Sequence, residues 1–345
     1  MVIKKLRLRR VLFICYVMTM LFVSLAWSLF GFDLFLSSSQ YSYIQNVGSQ
    51  QNLTIEMGIE PERKPFAHNA TKEHVNATSL HFSATVSLEH KTHLISTKTC
   101  GQDYFLLILV SSAPHNVERR RDIRQTWGVD TALKPRWKTV FLVAQSRIQN
   151  ESESLLKEDE FFGDLVRADY YDHYWNQTLK IQMGFEWAAR YCKFSYVLKM
   201  DDDTFVDTKA LISVLNEPKT PRKRLYMGKL WRHAGVHRRK GDKWAVSKEE
   251  YNKTVYPDFC AGFGFILSPD VLHQFVDLFD VVPAFKIDDA YVGILADRAG
   301  VKGADHPGFK QHPSPPRIPC NRDPKILVWH GITDECLFKL FRLSF

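Results

Sequence analysis

From Tyr104 onward, apolar runs of strand length alternate with segments of helical periodicity, and this alternation constrains the fold more than any other feature of the chain. The run YFLLILV (Tyr104 to Val110) is continuously apolar and short enough for a buried strand. VERRRDIRQTW follows as an arginine-rich helix, WKTVFLVA (Trp137 to Ala144) reads as a second strand, and Glu151 to Glu160 as a solvated acidic helix. In TLKIQMGFEWAARYC, Leu179, Met183 and Trp187 recur every fourth residue, with Ile181, Phe185, Ala188 and Cys192 widening that helical face. The strand FSYVLKM closes the series. Such alternation predicts an α/β domain with a mixed, mostly parallel sheet flanked by helices.

Ligands of these sheets bind beyond the carboxyl ends of the strands. There YVLKMDDDTFVD (196–207) sets three consecutive aspartates. Each carboxylate raises the cost of ionising the next, so a compensating cation is expected. If the backbone stays extended, Asp201 and Asp203 point to one face and Asp202 to the other. Two hard oxygen donors on one face suit Mg²⁺ or Mn²⁺, whose open positions accept an anionic ligand. The acidic pairs Glu151/Glu153 and Glu158/Glu160 have no apolar strand leading into them and read as solvated helix surface. An EF-hand loop is excluded, because Phe205 and Val206 stand where it needs an oxygen donor and a glycine.

The other end of the chain bears on topology. The net charge is +8, and Lys4, Lys5, Arg7, Arg9 and Arg10 account for five of those charges, which leaves the remainder too mildly basic for a nucleic-acid partner. They precede 22 residues, Val11 to Phe32, without an ionisable acid or base. As a helix this segment spans roughly 33 Å, the thickness of a bilayer core, and it is longer than the apolar region of a cleaved signal peptide. With the basic end cytosolic, the expected order is a tail over 1–10, a membrane anchor over 11–32, a polar lumenal stem over 33–99 and a compact domain over 100–345. Glycosylation acceptor sequences at Asn52, Asn69, Asn76, Asn150, Asn176 and Asn252 agree with that side of the membrane. So do five cysteines beyond the anchor, at 100, 192, 260, 320 and 336, an odd number that leaves at least one unpaired within the chain.

Five blocks in order, RRDIRQTWG, YYDHYWNQTLK, YVLKMDDDTFVD, YPDFCAGFGFILS and IDDAYVG, resemble those of the β-1,3-glycosyltransferase family, which includes β-1,3-galactosyltransferases and β-1,3-N-acetylglucosaminyltransferases. The resemblance covers nearly the whole chain after Cys100. It implies a GT-A fold, a UDP-sugar donor, Mn²⁺ (with Mg²⁺ as the alternative), inversion at the anomeric carbon, a glycan acceptor on lipid or protein, and a type II Golgi membrane enzyme. Galactose is the favoured transferred sugar, with N-acetylglucosamine or N-acetylgalactosamine as the alternative. Two readings from other classes are a catalytically silent glycan-binding ectodomain and a two-metal phosphoesterase. The second lacks the clustered His and Asp ligands it needs.

Matched block by block, the resemblance assigns Arg120, Arg124, Asp172, Lys180, Asp201 and Asp202 to the nucleotide, with capping of the helix near Thr178 as the rival role for Asp172. It assigns Asp203, Asp201 and His330 to the metal. Trp244 and Tyr256 are expected to pack against a sugar ring, and Gly262 and Gly264 to let backbone approach a ligand. Trp127 reads as core. Asp289 matches the family's catalytic aspartate. Asp288 departs from the family pattern, which has a glutamate there, so the contact of the longer side chain with the acceptor is in doubt. Counterparts in family members imply disulfides Cys100–Cys192 and Cys260–Cys320, with Cys336 free.

Overall fold

A computed structural model describes residues 91–311 and 320–344. The proposed anchor, most of the stem, and Asn52, Asn69 and Asn76 lie outside the described residues, within which no helix is long and apolar enough to cross a membrane.

The predicted alternation is present. Strands β1 (Asp103–Ser111), β2 (Trp137–Gln145), β3 (Leu165–Tyr171) and β4 (Lys193–Asp201) are joined through helices α1 (Val117–Gln125), α2 (Gln149–Phe162) and α3 (Gln177–Tyr191). All pair in parallel, in the spatial order β3-β2-β1-β4. The sheet continues through β7 (Phe259–Leu267), β6 (Tyr226–Trp231) and the two-residue β8 (Ala304–Asp305), with β7 antiparallel to both β4 and β6. A small second sheet holds β5 (Thr204–Val206), β10 (Val328–His330) and β9 (Phe309–Gln311) in that order. Helices α4 (Thr208–Asn216), α5 (Pro269–Asp277), α6 (Asp288–Arg298) and α7 (Asp334–Leu343) complete the domain. The architecture is mixed α/β with a mostly parallel core.

The continuous apolar runs are explained by burial on both sheet faces. Along β1, Leu107 and Leu109 enter one core with Leu142, Val197 and the apolar face of α3, while Leu106, Ile108 and Val110 enter a second core with Phe141, Tyr196 and Met200. Each fully buried side chain of this size contributes about 1.5–3 kcal/mol. Trp127 lies in the second core, 3% exposed, as its sequence context suggests.

Packing extends upstream of Cys100 into residues assigned to the stem. The N–H of Ile95 donates to Arg167 O, the N–H of Asp169 donates to His93 O, and Leu94, 4% exposed, bridges Ala168. The segment therefore protects the outer edge of β3.

Two disulfides are present. Cys100–Cys192 fastens the approach to β1 onto the end of α3, as expected. The second is Cys320–Cys336, and Cys260 is free and buried, which corrects the expected Cys260–Cys320 pair. The cause is the sheet itself. Cys260 belongs to the core on one face, whereas Cys320 and Cys336 pack in the core on the other.

Candidate active site

The order β3-β2-β1-β4 reverses at β1, because the chain winds outward through β2 and β3 and then returns to the opposite side of β1. That reversal opens a crevice beyond the carboxyl ends of β1 and β4, the usual ligand position in such sheets. Ser111 and Asp201 are register partners at its floor.

Asp201 ends β4, and Asp203 precedes β5, whose Thr204 pairs with His330 of β10. This pairing brings a histidine from 127 residues further along the sequence to the acidic strand end. Ligand atoms of Asp201, Asp203 and His330 lie within 4.8 Å of one another. His330 Nε2 stands 3.4 Å from Asp203 Oδ1, too long to be a good hydrogen bond. Both Asp203 Oδ1 and His330 Nδ1 are buried without a hydrogen-bond partner. Buried polar atoms are normally paired, so two orphans in one cluster with three hard or borderline donors fit a divalent cation. Burial opposes charge on both groups, but their mutual attraction outweighs it, holding the Asp203 carboxyl below its usual range and the His330 imidazole above.

Asp202 and Asp203 form a turn between β4 and β5 rather than a continuing strand, and it is this turn that sends Asp202 away from Asp201 and Asp203. Asp202 Oδ2 accepts from Ser112 Oγ at 2.8 Å and Asn116 Nδ2 at 2.9 Å, so it anchors the loop after β1. That loop is also held by Arg120, which is fully buried. Its Nε and Nη2 fork onto Glu158, Nη1 donates to Ser112 Oγ and Ala113 O, and Nη2 also donates to Pro114 O. A guanidinium has five N–H donors, and all five are spent within the protein. Arg120 therefore shapes the loop and has no donor for a nucleotide, which corrects the role implied by resemblance. Arg124 is likewise committed, forked onto Asp164, bonded to Glu158 and stacked over Phe162. Arg119 differs. It is half-buried, makes no hydrogen bond or ion pair with another described residue, and its charge helps to lower the Asp203 pKa. Three adjacent arginines give no signal in the sequence of which one faces the crevice.

Lys180, fully buried on α3, lies 2.8 Å from Asp172 Oδ1 and donates to Ser112 O. Asp172 thus pairs with Lys180 and caps no helix; His173 caps the short 3₁₀ turn Tyr174–Asn176 instead.

Beyond β4 the site is continued by β7 and α6. Gly262 offers its N–H to Asp289 Oδ2 at 3.2 Å, and Asp289 Oδ1 also accepts from the N–H of Ala290. A Cβ on Gly262 would sit at ordinary contact distance, 3.4 Å from Asp289 Cβ and 3.5 Å from Asp288 Oδ2, so packing against α6 does not itself require a glycine there. Gly264 makes room for Val328 of β10, at 3.0 Å, which corrects the expectation of close ligand approach at that position. Burial, followed by the neighbouring Asp288 charge, pushes the Asp289 carboxyl up to about 7.

Lys199 joins the two sides, and sequence reasoning missed it. It is 1% exposed, with Nζ 2.9 Å from Asp201 Oδ1, 2.7 Å from Gly262 O and 3.4 Å from Asp288 Oδ2. The signal was present as a lysine inside the apolar run YVLKM, two residues before Asp201 and therefore on its face of the strand. Burial, then the charges of Asp288 and Asp203, push the Asp201 carboxyl up to about 6 in spite of Lys199.

Tyr256 and Trp244 separate. Tyr256 is 6% exposed and stacks with Tyr251 and Phe285 in a small aromatic core, its hydroxyl buried without a partner. Trp244 is 51% exposed on the loop between β6 and β7. Of the described acceptor asparagines, Asn150 and Asn252 are exposed, while the Asn176 amide donates to Tyr171 O.

An acidic, cation-ready strand end joined through Lys199 and Gly262 to a raised-pKa carboxylate, beside the switch point of an α/β sheet, is a site suited to a group-transfer enzyme. The chain belongs to the galactosyltransferase family, whose profile matches residues 118–307, and it is a β-1,3-glycosyltransferase. It is 35% identical over 200 residues to β-1,3-galactosyltransferase 5 of Pan troglodytes, covering 57% of this chain and 67% of that protein. The mouse protein of that name (Mus musculus) is 34% identical, covering 68% of this chain and 76% of its own length. Lactosylceramide 1,3-N-acetyl-β-D-glucosaminyltransferase of Homo sapiens is 32% identical, covering 73% and 71%.

Proposed function

We propose that this enzyme transfers a hexose, with galactose favoured, from a UDP-sugar to a glycan hydroxyl on lipid or protein. The product is a β-1,3 linkage formed with inversion. Relatives named for galactose and for N-acetylglucosamine transfer both align, at 35% and 32% identity, so N-acetylglucosamine is the competing donor sugar. The anchor and acceptor sequences support a Golgi membrane protein of type II topology.

Asp201, Asp203 and His330 would hold a divalent cation, Mn²⁺ or Mg²⁺. When bound, it supplies charge neutralisation to the leaving diphosphate. Arg119, uncommitted to any partner among the described residues, is suited to a phosphate oxygen. Lys180, Asp172, Asp202 and the 112–116 loop form the wall for the nucleotide. Asp289 takes the proton of the acceptor hydroxyl, whose oxygen bonds to the anomeric carbon as the bond to UDP breaks. A base near neutral pKa suits that task, because it is unprotonated at working pH yet basic enough to accept the proton. Asp288 is turned toward Lys199, which leaves Asp289 the better-placed base.

The observation carrying this reading is the bridge at Gly262, whose N–H holds Asp289 and whose carbonyl holds Lys199, itself bonded to Asp201. It sets base and cation site at a fixed separation. The test is the full chain, purified in detergent and incubated with UDP-galactose, UDP-N-acetylglucosamine or UDP-N-acetylgalactosamine and β-linked acceptors, with and without Mn²⁺. Metal-dependent UDP release that is absent in Asp203→Ala is expected. Absence of turnover with every pair would refute the reading.

A further inference from the structure

Three separate segments meet in an exposed cluster that no step above uses. Tyr174 and Trp175, from the turn after β3, are 48% and 37% exposed and stand edge to face at 4.9 Å. Lys243 Nζ lies 4.5 Å from the Tyr174 ring centre and 5.7 Å from that of Trp244. Lys286 Nζ lies 5.6 Å from the Trp175 ring centre. Thr178 Oγ1 donates to Phe285 O at 2.5 Å, tying the turn to the segment that carries Lys286. The cluster adjoins the crevice on both sides, since Tyr174 follows Asp172 by two residues and Lys286 precedes Asp288 by two.

Exposed rings in a patch rimmed by polar groups mark a binding surface, and the apolar C–H faces of a sugar match aromatic faces. A cation over a ring gains attraction but keeps its full charge. The loop bearing Trp244 adds to that charge, with seven Lys or Arg against three Asp or Glu over residues 232–253. Arg239 and Lys240 at its tip are exposed, and Arg238 fixes the loop by donating to the carbonyls of Val246, Ser247, Tyr251 and Lys253. Acids counter it only in part, through Glu250 at 3.4 Å from Lys286 and Asp242, which pairs with His237. A neutral glycan needs the rings but not this positive excess.

We propose that this platform receives the acceptor glycan and selects one bearing an anionic group, a carboxylate or a sulfate ester, within one or two sugars of the attacked hydroxyl. The inference rests on the glycosyltransfer reading and names its acceptor class.

Affinity is read by quenching of intrinsic tryptophan fluorescence, with Mn²⁺ and UDP present, so that the result is independent of turnover. The probes are a neutral β-linked disaccharide, its sulfate ester and its uronic-acid counterpart. At low salt the two anionic probes should bind about 3- to 10-fold more tightly than the neutral one, the range two partly exposed ion pairs provide. The difference should collapse at 0.5 M NaCl, where charges are screened within a few ångströms, and should also vanish in Lys243→Gln/Lys286→Gln. The salt arm needs no variant and stands even if the double variant misfolds. Sulfate and carboxylate probes that differ from each other identify which anion is preferred. Equal affinity for neutral and anionic probes overturns the inference whether or not the enzyme turns over. Turnover with the neutral probe alongside equal affinities leaves the function standing without it.

Discussion

Lys199 Nζ and Asp201 Oδ1 are 2.9 Å apart, on side chains two residues apart along one face of β4, and the ammonium is 1% exposed while the aspartate side chain is 38% exposed. A lysine so buried is stable as a cation only because acids surround it. Burial works against its charge, yet the carboxylates of Asp201 and Asp288 leave its pKa raised. The acidic crevice thus carries an internal counter-ion, fixed by the fold.

Lys199→Met removes that counter-ion and leaves Asp201, Asp288 and Asp289 repelling one another and Gly262 O unpaired. Breaking a buried pair costs roughly 3–5 kcal/mol, and the exposure of Asp201 places this pair toward or below the low end of that range. A divalent cation restores part of the missing positive charge. Thermal unfolding should therefore show a larger rise in Tm on adding Mn²⁺ for Lys199→Met than for the native chain. An equal rise in both would show that Lys199 does not compensate the cluster.

Arg120 provides a contrast with Arg119. Arg120→Met leaves Glu158 with Arg124 as its remaining partner and strands the carbonyls of Ala113 and Pro114 in the interior, so a loss of about 3 kcal/mol, the low end for breaking a buried pair, is expected in chemical denaturation. Arg119→Met should unfold near the native midpoint, since surface changes are usually within about 0.5 kcal/mol, while weakening UDP binding measured by calorimetry. The reverse pattern, a stable Arg120→Met and an unstable Arg119→Met, would exchange their roles.

Peptide mapping under non-reducing conditions should link Cys320 to Cys336 and Cys100 to Cys192, with Cys260 alkylated only after denaturation. The Cys320–Cys336 bridge spans 16 residues, a loop for which chain entropy contributes about 3 kcal/mol. Cys336→Ser should accordingly lower stability by about that amount, and Cys260→Ser by less. A Cys260–Cys320 peptide would refute the sheet-face argument.

Much of the scaffold was legible because burial on both faces leaves a continuous apolar signature in β1, β2 and β4, and because α3 has helical periodicity, although it is buried nearly all round rather than along one stripe. The cation cluster was legible through Asp201 and Asp203 as a pair of carboxylates at a buried strand end, although a turn at Asp202 and Asp203, not strand alternation, brings them together. Pairings distant in sequence were not. His330 reaches Asp203 only through the β5–β10 ladder, and resemblance alone had suggested it. The cysteine partners depend on which sheet face each residue occupies, which cannot be read from spacing. Neighbouring arginines have identical local chemistry, and the Glu158 partner that fixes Arg120 lies 38 residues away.

Asp289 is the proposed base. Asp289→Asn keeps the size of the side chain but removes its basicity, so turnover should fall by roughly 10²–10⁴-fold while UDP and Mn²⁺ binding persist. The pH profile carries the sharper test. A base acts unprotonated, so kcat/KM should fall as pH drops through the Asp289 pKa, raised to about 7 chiefly by burial and then by the Asp288 charge. Asp288→Asn removes that like charge, which makes the Asp289 anion easier to form and lowers its pKa. The acid limb should consequently move to lower pH in Asp288→Asn, whatever happens to the plateau. A limb that stays in place in Asp288→Asn, or an active Asp289→Asn beside an inactive Asp288→Asn, would assign the base to another carboxylate.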